Sequence, residues 1–296
     1  MHFGGAMFFT EYSMSAPELA RALEERGFES VWAPEHSHIP LSRKTPFPGG
    51  GDVPKQYYDA MDPFVALAAA GEATKTIKVG TGVALIQQRD VIQTAKLVAS
   101  IDQVSHGRFL FGIGGGWNQD EMEDHGTVFA TRFKRVRESI EAMKEIWTKE
   151  RAEYHGEFVN FDPMIARPKP VQKPHPPIHV GGAFPQGARR AIRYGDGWIP
   201  GSDIRDVLPK FREMAREAGR DPASIEITSF GLGEDLDRSS AWQRSGSPAS
   251  YRCSRRKRRI RCCPSSIAGR KSCGRSTGKS DRDLSADAGE SCLSKT

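Results

Sequence analysis

The stretch IKVGTGVALIQQRDVIQTAKLVASIDQVSHGRFLFGIGGG, residues 77–116, decides the fold. It starts with an apolar run at 77–85 and continues with residues 91–105, whose apolar side chains recur at helical spacing. It ends with a second apolar run at 108–116. Two apolar strands joined through one helix predict a strand–helix–strand unit with parallel strands. Parallel strands are covered by helices on both faces, which explains why both runs are almost continuously apolar.

The alternation of strands and helices continues over the first 230 residues. Strands are predicted at residues 2–9, 29–34, 77–85, 108–116, 176–182, 196–201 and 224–232. A chain of 296 residues can bury one large core. The predicted fold class is therefore α/β, as a (βα)8 TIM barrel, which typically takes about 250 residues. A doubly wound open sheet is the alternative.

Residues 239–296 differ in composition from residues 1–238. They hold 14 Lys/Arg and 4 Asp/Glu, against 29 and 33 in residues 1–238, so the net charge of +6 comes from this tail. The tail also contains all five cysteines and shows neither strand nor helix periodicity. Such a segment buries too little apolar area to offset its chain entropy, and we expect it to be disordered.

The body of the chain has the composition of a cytosolic protein. Residues 1–238 contain no cysteine, as is typical of a reducing compartment. No segment approaches the roughly 18 apolar residues of a membrane span, and the N-terminal apolar run is too short for a signal peptide. We therefore expect a cytoplasmic protein.

The second predicted strand ends in a pair of titratable residues, Glu35 and His36. Sites in a parallel barrel lie at the carboxyl ends of the strands. A carboxylate beside an imidazole can orient a ring, transfer a proton or bind a metal. Alternatively, the two are polar residues at the start of a loop.

Glycines follow two other strands. Gly112, Gly114, Gly115 and Gly116 end the fourth strand, where a bare backbone can approach a flat or phosphorylated ligand. Their spacing is neither the G-x-G-x-x-G fingerprint nor a Walker motif, and tight packing accounts for them equally well.

A second glycine pair, Gly181 and Gly182, lies between a strand and a helix. A helix N-terminus with free backbone amides can hold a phosphate, and a turn without a ligand is the alternative. We expect Arg189 and Arg190 to lie too far into that helix to reach the same phosphate.

The remaining motifs indicate no metal site and no protein nucleophile. The histidines lack metal-ligand spacing, and His179 inside a strand is interpreted as a core histidine. Neither a G-x-S-x-G elbow nor a cysteine occurs in residues 1–238. The chemistry is therefore expected to belong to a bound cofactor.

Four segments resemble the coenzyme F-420-dependent oxidoreductase branch of the bacterial luciferase-like monooxygenase family. They are GFESVWAPEH (27–36), residues 77–126, residues 154–182 and ARRAIRYGDGWIP (188–200), in this order and at matching separations. The resemblance extends from about His2 to Arg238. It implies a luciferase-like TIM-barrel domain over residues 1–238, with the deazaflavin ring in the mouth of the barrel.

The resemblance also implies roles for particular residues. Glu35 and His36 match the catalytic acid–histidine pair, with His36 handling a proton at the ring or the substrate. The cofactor-binding positions it implies are Thr81, Gly82 and Val83, where relatives often have a bulge or a non-prolyl cis bond behind the ring, Gly114 and Gly115 in the fourth loop, and Gly181, Gly182 and Ala183 at the phosphate. Gly115 and Gly116 stand where sugar-phosphate dehydrogenases of this branch carry a glutamate, so a sugar phosphate is not expected as substrate.

The implied reaction is hydride transfer between coenzyme F-420 and a small organic substrate. One alternative is an FMN-dependent monooxygenase that uses O2. An alternative of another class is an inactive barrel whose basic tail binds nucleic acid. We expect a small-molecule substrate, no metal, no nucleic acid and no membrane as partners, with a homodimer as one option.

The tail has the composition of a GC-rich gene translated in the wrong frame. The barrel needs an eighth strand and helix after Arg238, and residues 239–296 have the pattern of neither. Shifting the frame back by one base permits VARVISVLPPEKADTVLPILDRWAEIM from residues 246–273, an apolar strand followed by helical spacing. We therefore predict a frameshift near residues 238–244, the loss of the last strand and helix, and a domain that ends incomplete at Arg238.

Overall fold

The computed structural model describes residues 2–230 and 249–254. All of them lie in one compact unit, Met1–Lys257. The strands are β1 (His2–Ala6), β2 (Ser30–Ala33), β3 (Lys78–Thr81), β4 (Phe109–Ile113), β5 (Ala152–His155), β6 (Asn160–Met164), β7 (Ile178–Gly181), β8 (Gly197–Ile199), β9 (Glu226–Phe230) and β10 (Ala249–Ser254). The helices are α1 (Ala16–Glu24), α2 (Lys55–Tyr58), α3 (Pro63–Glu72), α4 (Val91–Val104), α5 (Gln119–Asp124), α6 (Arg132–Thr148), α7 (Gln186–Tyr194) and α8 (Leu208–Glu217).

Eight parallel strands close into a barrel. Their order around the barrel is β1, β2, β3, β4, β7, β8, β9, β10 and back to β1. All eight pairings are parallel. The prediction of a TIM-like barrel is confirmed, and the open-sheet alternative is excluded. The carboxyl ends of the strands therefore share one mouth, where sites of this fold form.

Capping residues and buried apolar side chains mark the helices α1, α3 and α4, which pack around the barrel. Ser15 caps α1 and exchanges hydrogen bonds with Glu18, the reciprocal capping box. Asp62 caps α3 and Asp90 caps α4, each through a side-chain oxygen that accepts backbone N–H groups of the first turn. Buried side chains of these helices cover the outside of the strands. Inside, Trp32, Leu110 and Ile199 form a cluster against which Ala6, Val83 and Phe230 pack.

The prediction that the last strand is missing is not confirmed. β10 occupies the eighth position and pairs with β1 from His2↔Ser250 to Ala6↔Ser254, and with β9 from Ala249↔Ile227. Ladder hydrogen bonds join backbone groups, so a segment without strand-like periodicity can still complete a ladder. Disorder is therefore the wrong expectation for residues 249–254. The rest of the 239–296 tail, and with it the predicted loss of the eighth helix, lies outside the described residues.

The sequence pattern missed the short elements. These are α2, α5 and the antiparallel pair β5–β6, which lies outside the barrel sheet. The residues of α5 are QDEMED, which contain one apolar side chain and therefore no helical period. In the described part of the chain, no helix has the length and apolarity needed to cross a membrane.

Candidate active site

His36 follows β2 at the mouth of the barrel. It is 9% exposed, and its Nδ1 lies 2.7 Å from Oε2 of Glu121 on α5. Glu121 is fully buried, and its Oε1 accepts the N–H of Ser37 at 3.0 Å. Two separate segments, the end of β2 and α5, are thus joined through one imidazole–carboxylate pair. Nε2 of His36 has no hydrogen-bond partner among the described residues.

Aromatic rings surround His36. The ring centroids of Tyr57 and Trp117 lie 5.2 and 5.9 Å from that of His36. Phe47 contacts both of these rings, at 5.2 and 5.5 Å, and Phe8 lies 4.5 Å from Tyr57. All four aromatic side chains are partly exposed. They form an apolar surface beside the His36 ring.

Glu35 is adjacent to His36 in sequence but has different partners. It is 5% exposed and forms an ion pair with Arg89, with Nε 2.6 Å from Oε1. Its Oε2 accepts the N–H of Leu85 at 2.7 Å. Burial raises the pKa of the Glu35 carboxyl, and the Arg89 guanidinium opposes this shift. The geometry gives Glu35 a role in holding the segment after β3, whereas His36 is paired with Glu121.

The end of β3 has the backbone feature that the resemblance implied. The Gly82–Val83 peptide bond is cis. Thr81 is fully buried, and its hydroxyl donates to the carbonyl of Gly112 at 2.7 Å. Val83 packs on the Trp32 cluster inside the barrel. The predicted residues Thr81, Gly82 and Val83 therefore lie at the mouth, between β2 and β4.

Protein packing accounts for the glycines after β4. A Cβ on Gly114 would lie 2.5 Å from Cγ2 of Val83, and one on Gly115 would lie 2.3 Å from Cε1 of Phe133. Both distances are too short for real atoms, so neither position accepts a side chain as the structure stands. The packing alternative thus explains Gly114 and Gly115 without a ligand.

The turn after β7 contains Gly181, Gly182 and Ala183. Gly182 has a φ of 140°, a conformation that L side chains rarely adopt. Its carbonyl accepts the indole N–H of Trp198 at 2.8 Å, which fixes the turn. The backbone amides of Ala183 and Phe184 donate to no acceptor among the described residues. These N–H groups precede α7 and are available to an anion.

Two arginines lie at this turn. The guanidinium groups of Arg190 and Arg132 pack on the ring of Phe133, with Cζ 3.8 and 4.3 Å from its centroid. Nη2 of Arg190 lies 2.9 Å from the place where a Cβ on Gly182 would be. The expectation that Arg190 stops short of this turn is wrong. Side chains of a helix point toward its N-terminus, and a long side chain in the second turn therefore reaches back past the first.

These two cations are not neutralised by the part of the chain that the structure describes. Neither has a carboxylate within ion-pair distance there, and the buried Nε of Arg132 has no hydrogen-bond partner. Burial lowers the pKa of both guanidinium groups, and for Arg132 the charge of Arg190 adds to this effect. Unpaired, partly buried cations beside free backbone amides fit a phosphate group. The residues present therefore fit a phosphorylated cofactor such as a flavin or deazaflavin.

His179 lies inside the barrel, as predicted for a core histidine. It is fully buried, and its Nδ1 lies 3.1 Å from the Thr228 hydroxyl. Over residues 2–230 and 249–254, no three His, Cys, Asp or Glu side chains come together in a way that would hold a metal ion.

Sequence reasoning missed Glu121 and Arg190. The signal for Glu121 is present, because Asn118 precedes it by three residues and its side chain accepts the N–H of Glu121. Asn followed three residues later by Glu is typical of a helix start, and it predicts α5. The signal for Arg190 is the direction of helical side chains. Only the fold shows that Glu121 reaches His36.

Comparison with known proteins gives the same fold and family. The model of the luciferase-like monooxygenase family matches residues 10–232. An uncharacterized protein of Mycobacterium tuberculosis is 41% identical over 228 residues, 75% of this chain and 80% of that protein. The F420-dependent hydroxymycolic acid dehydrogenase of Mycobacterium tuberculosis is 32% identical over 214 residues, 70% of this chain and 55% of that protein.

A solved structure extends the comparison. An F420-dependent secondary alcohol dehydrogenase in complex with an F420-acetone adduct superposes with a TM-score of 0.64 at 25% identity, over 82% of this chain and 73% of that chain. The barrel topology, the arrangement of the mouth and the family match agree. This chain therefore belongs to the luciferase-like monooxygenase family of oxidoreductases.

Proposed function

We propose that this chain is a coenzyme F-420-dependent oxidoreductase that transfers a hydride between the deazaflavin and a small organic substrate. The relative with a named activity that is 32% identical depends on F420. The solved F420-dependent alcohol dehydrogenase has the same fold. Both support a deazaflavin over FMN, and both names describe dehydrogenases.

The observation that carries the proposal is the pair of cations at the turn after β7. Arg132 and Arg190 both pack on the Phe133 ring, and neither has a carboxylate partner in the described part of the chain. Holding two like charges together is unfavourable unless an anion joins them. A cofactor phosphate on the amides of Ala183 and Phe184 would supply that anion. His36 and this turn both follow barrel strands at the mouth, so a cofactor held there by its phosphate would share the mouth with His36.

His36 is the residue proposed to handle the proton. The cofactor, when bound, supplies a two-electron hydride acceptor. As the C–H hydride leaves an alcohol carbon, the hydroxyl must lose a proton, and Nε2 of His36 is placed to accept it. In the reverse direction the same nitrogen returns the proton to a carbonyl oxygen. Tyr57 and Trp117 pack near the His36 ring, and we propose that they favour an apolar substrate.

Titration of the purified full chain with F-420 and with FMN, followed by fluorescence, tests the proposal. We expect saturable binding of F-420 and binding of FMN that is at least about tenfold weaker. Preferential binding of FMN would overturn the proposal in favour of an FMN-dependent monooxygenase. Binding of neither cofactor together with salt-sensitive DNA binding would favour the inactive-barrel alternative.

A further inference from the structure

Glu121 joins the backbone after β2 to one ring nitrogen of His36. Its Oε1 accepts the N–H of Ser37 at 3.0 Å, and its Oε2 lies 2.7 Å from Nδ1 of His36. A backbone N–H can only donate, so this carboxyl group acts as an acceptor, and an ionised carboxylate accepts through both oxygens. Nδ1 is then the donor in the second hydrogen bond. With Glu121 ionised, the ring proton of a neutral His36 lies on Nδ1.

The tautomer has a chemical consequence at the mouth. A neutral imidazole carries one N–H, so a proton on Nδ1 leaves a lone pair on Nε2. Nε2 has no hydrogen-bond partner among the described residues, and the His36 ring that carries it packs near Tyr57 and Trp117. The other tautomer would present an N–H to the substrate and could not accept a proton.

We propose that Glu121 is a positioning residue that fixes His36 in the Nδ1–H tautomer, so that Nε2 exchanges a proton with a substrate oxygen. The inference rests on the proposed oxidoreductase function for the substrate step. The tautomer itself rests only on the contacts between Glu121, Ser37 and His36. A carboxylate that orients a histidine through the nitrogen opposite the reacting one is a general way to set its tautomer.

Asp120 provides a matched control on the same helix. It is a buried carboxylate next to Glu121, and it also holds the loop after β2. Its oxygens accept the Ser42 hydroxyl and the Lys44 N–H, each at 2.8 Å. It therefore stabilises the loop without contacting His36. Asp120→Asn tests the loop contact alone, whereas Glu121→Gln tests the loop contact together with the histidine contact.

Nitrogen NMR of the full chain with 15N-labelled histidine is the primary experiment. Wild type and Asp120→Asn should show His36 with a protonated Nδ1 and an unprotonated Nε2. In Glu121→Gln the population should shift toward the Nε2–H tautomer, because the amide is a weaker acceptor than the carboxylate. Assignment uses the signals lost in His36→Gln. An Nε2–H tautomer in the wild type, or equal spectra for the two carboxylate variants, would overturn the inference.

Kinetics with F-420 and a secondary alcohol, 2-propanol, give the second measurement. Glu121→Gln should lower kcat by about 10- to 100-fold with KM and F-420 affinity unchanged, the size of effect usual for a residue that orients a reacting histidine. Asp120→Asn should stay within about twofold. Equal losses in the two variants would indicate a purely structural role. Failure of the wild type to bind F-420 would refute the proposed function while leaving the NMR result to decide the role of Glu121.

Discussion

The two halves of the barrel mouth treat charge in opposite ways. In the paired half, formed by Glu35, Arg89, His36 and Glu121, every charged group has a partner within hydrogen-bond distance. In the cationic half, formed by Arg132, Arg190 and the turn Gly181–Ala183, two guanidinium groups lie on one ring without an anion among the described residues. The side chains of Glu35, His36 and Glu121 are buried, whereas both arginines of the cationic half are partly exposed.

In the paired half the charges are balanced by residues of the chain itself, whereas the charges of the cationic half need an anionic ligand. Buried charges are stable when they are paired, and the paired half satisfies that condition from within the chain. The cationic half satisfies it only when an anion is added. We infer that the paired half supports catalysis by fixing the orientation of His36, whereas the cationic half supplies affinity for the cofactor.

The largest expected effect comes from restoring the shifted reading frame of β10. It should raise both the stability of the barrel and the affinity for F-420. Read one base back, the bases that encode residues 249–254 permit the apolar run VISVL. This run is encoded at the same position as β10, so both frames offer an eighth strand there. The written strand is ASYRCS, with one arginine and two serines. Burial of a Val, Ile or Leu side chain contributes about 1.5–3 kcal/mol. The frame-restored chain should therefore unfold at a much higher urea concentration and bind F-420 more tightly.

Urea denaturation of the written and the restored chains, with F-420 titration of each, measures this effect. Exchange of Val and Ile for serine in the restored strand provides the control for apolar burial. Equal unfolding midpoints for the two chains would contradict the prediction. Genomic resequencing that finds no open frame for the shifted peptide would contradict the frameshift itself.

The next largest effect is on the paired half. Glu35→Gln leaves Arg89 in a partly buried place without its main counter-ion. Removing one member of a buried ion pair costs about 3–5 kcal/mol. We expect a loss of that order in the free energy of unfolding, measured in urea. The double variant Glu35→Gln/Arg89→Met should be less destabilised than the single one, since it leaves no buried unpaired charge: Asp62, the second partner of Arg89, is 40% exposed. A loss below about 1 kcal/mol in Glu35→Gln would show that the pair is exposed to water in solution.

In the cationic half the same kind of change should act on affinity and not on stability. Removing an unpaired cation relieves repulsion, so Arg190→Ala should unfold at the wild-type urea concentration or slightly above it. A charge-assisted hydrogen bond to a phosphate contributes about 1.5–3 kcal/mol, so F-420 should bind roughly 10- to 150-fold more weakly. Arg189→Ala, an exposed neighbour on α7, is the control and should bind normally. If Arg190→Ala were destabilised and still bound F-420 normally, Arg190 would have to be paired within the protein and not with the cofactor.

The barrel and the position of the site could be predicted from the sequence, but the roles within the site could not. The apolar runs and capping residues lie in local sequence, and they predict the seven barrel strands that precede β10 and the long helices around them. The pairing of His36 with Glu121 joins residues 85 positions apart, and the sequence gives no sign of it. Glu35 is next to His36 in sequence but pairs with Arg89 in the structure, so adjacency in sequence does not indicate a shared role. The direction of Arg190 follows from helix geometry and was predictable.

The smallest effect is expected at a carboxylate outside both halves, Glu24 at the end of α1. Its Oε1 accepts the amide N–H groups of Lys75, Thr76 and Ile77. Partial burial acts to raise the pKa of Glu24, but these hydrogen bonds outweigh it and lower the pKa to about 2. Because this value lies below that of the unfolded chain, the stabilisation is complete above about pH 4.5 and is lost as the pH falls toward 2.

Glu24→Gln should therefore cost about 1 kcal/mol at pH 7, the usual net value of such hydrogen bonds for a side chain that is partly in water. Its deficit relative to wild type should shrink as the pH falls below about 4.5, since Glu24 then takes up a proton in the unfolded wild-type chain before it does so in the folded one. Urea denaturation at several pH values between 7 and 3 measures this, and F-420 affinity at pH 7 should not change. A deficit that is constant with pH would mean that the charge of Glu24 contributes nothing. Glu24 contacts none of the residues that form the two halves of the mouth. A loss of F-420 affinity in Glu24→Gln would therefore contradict the assignment of cofactor affinity to the cationic half.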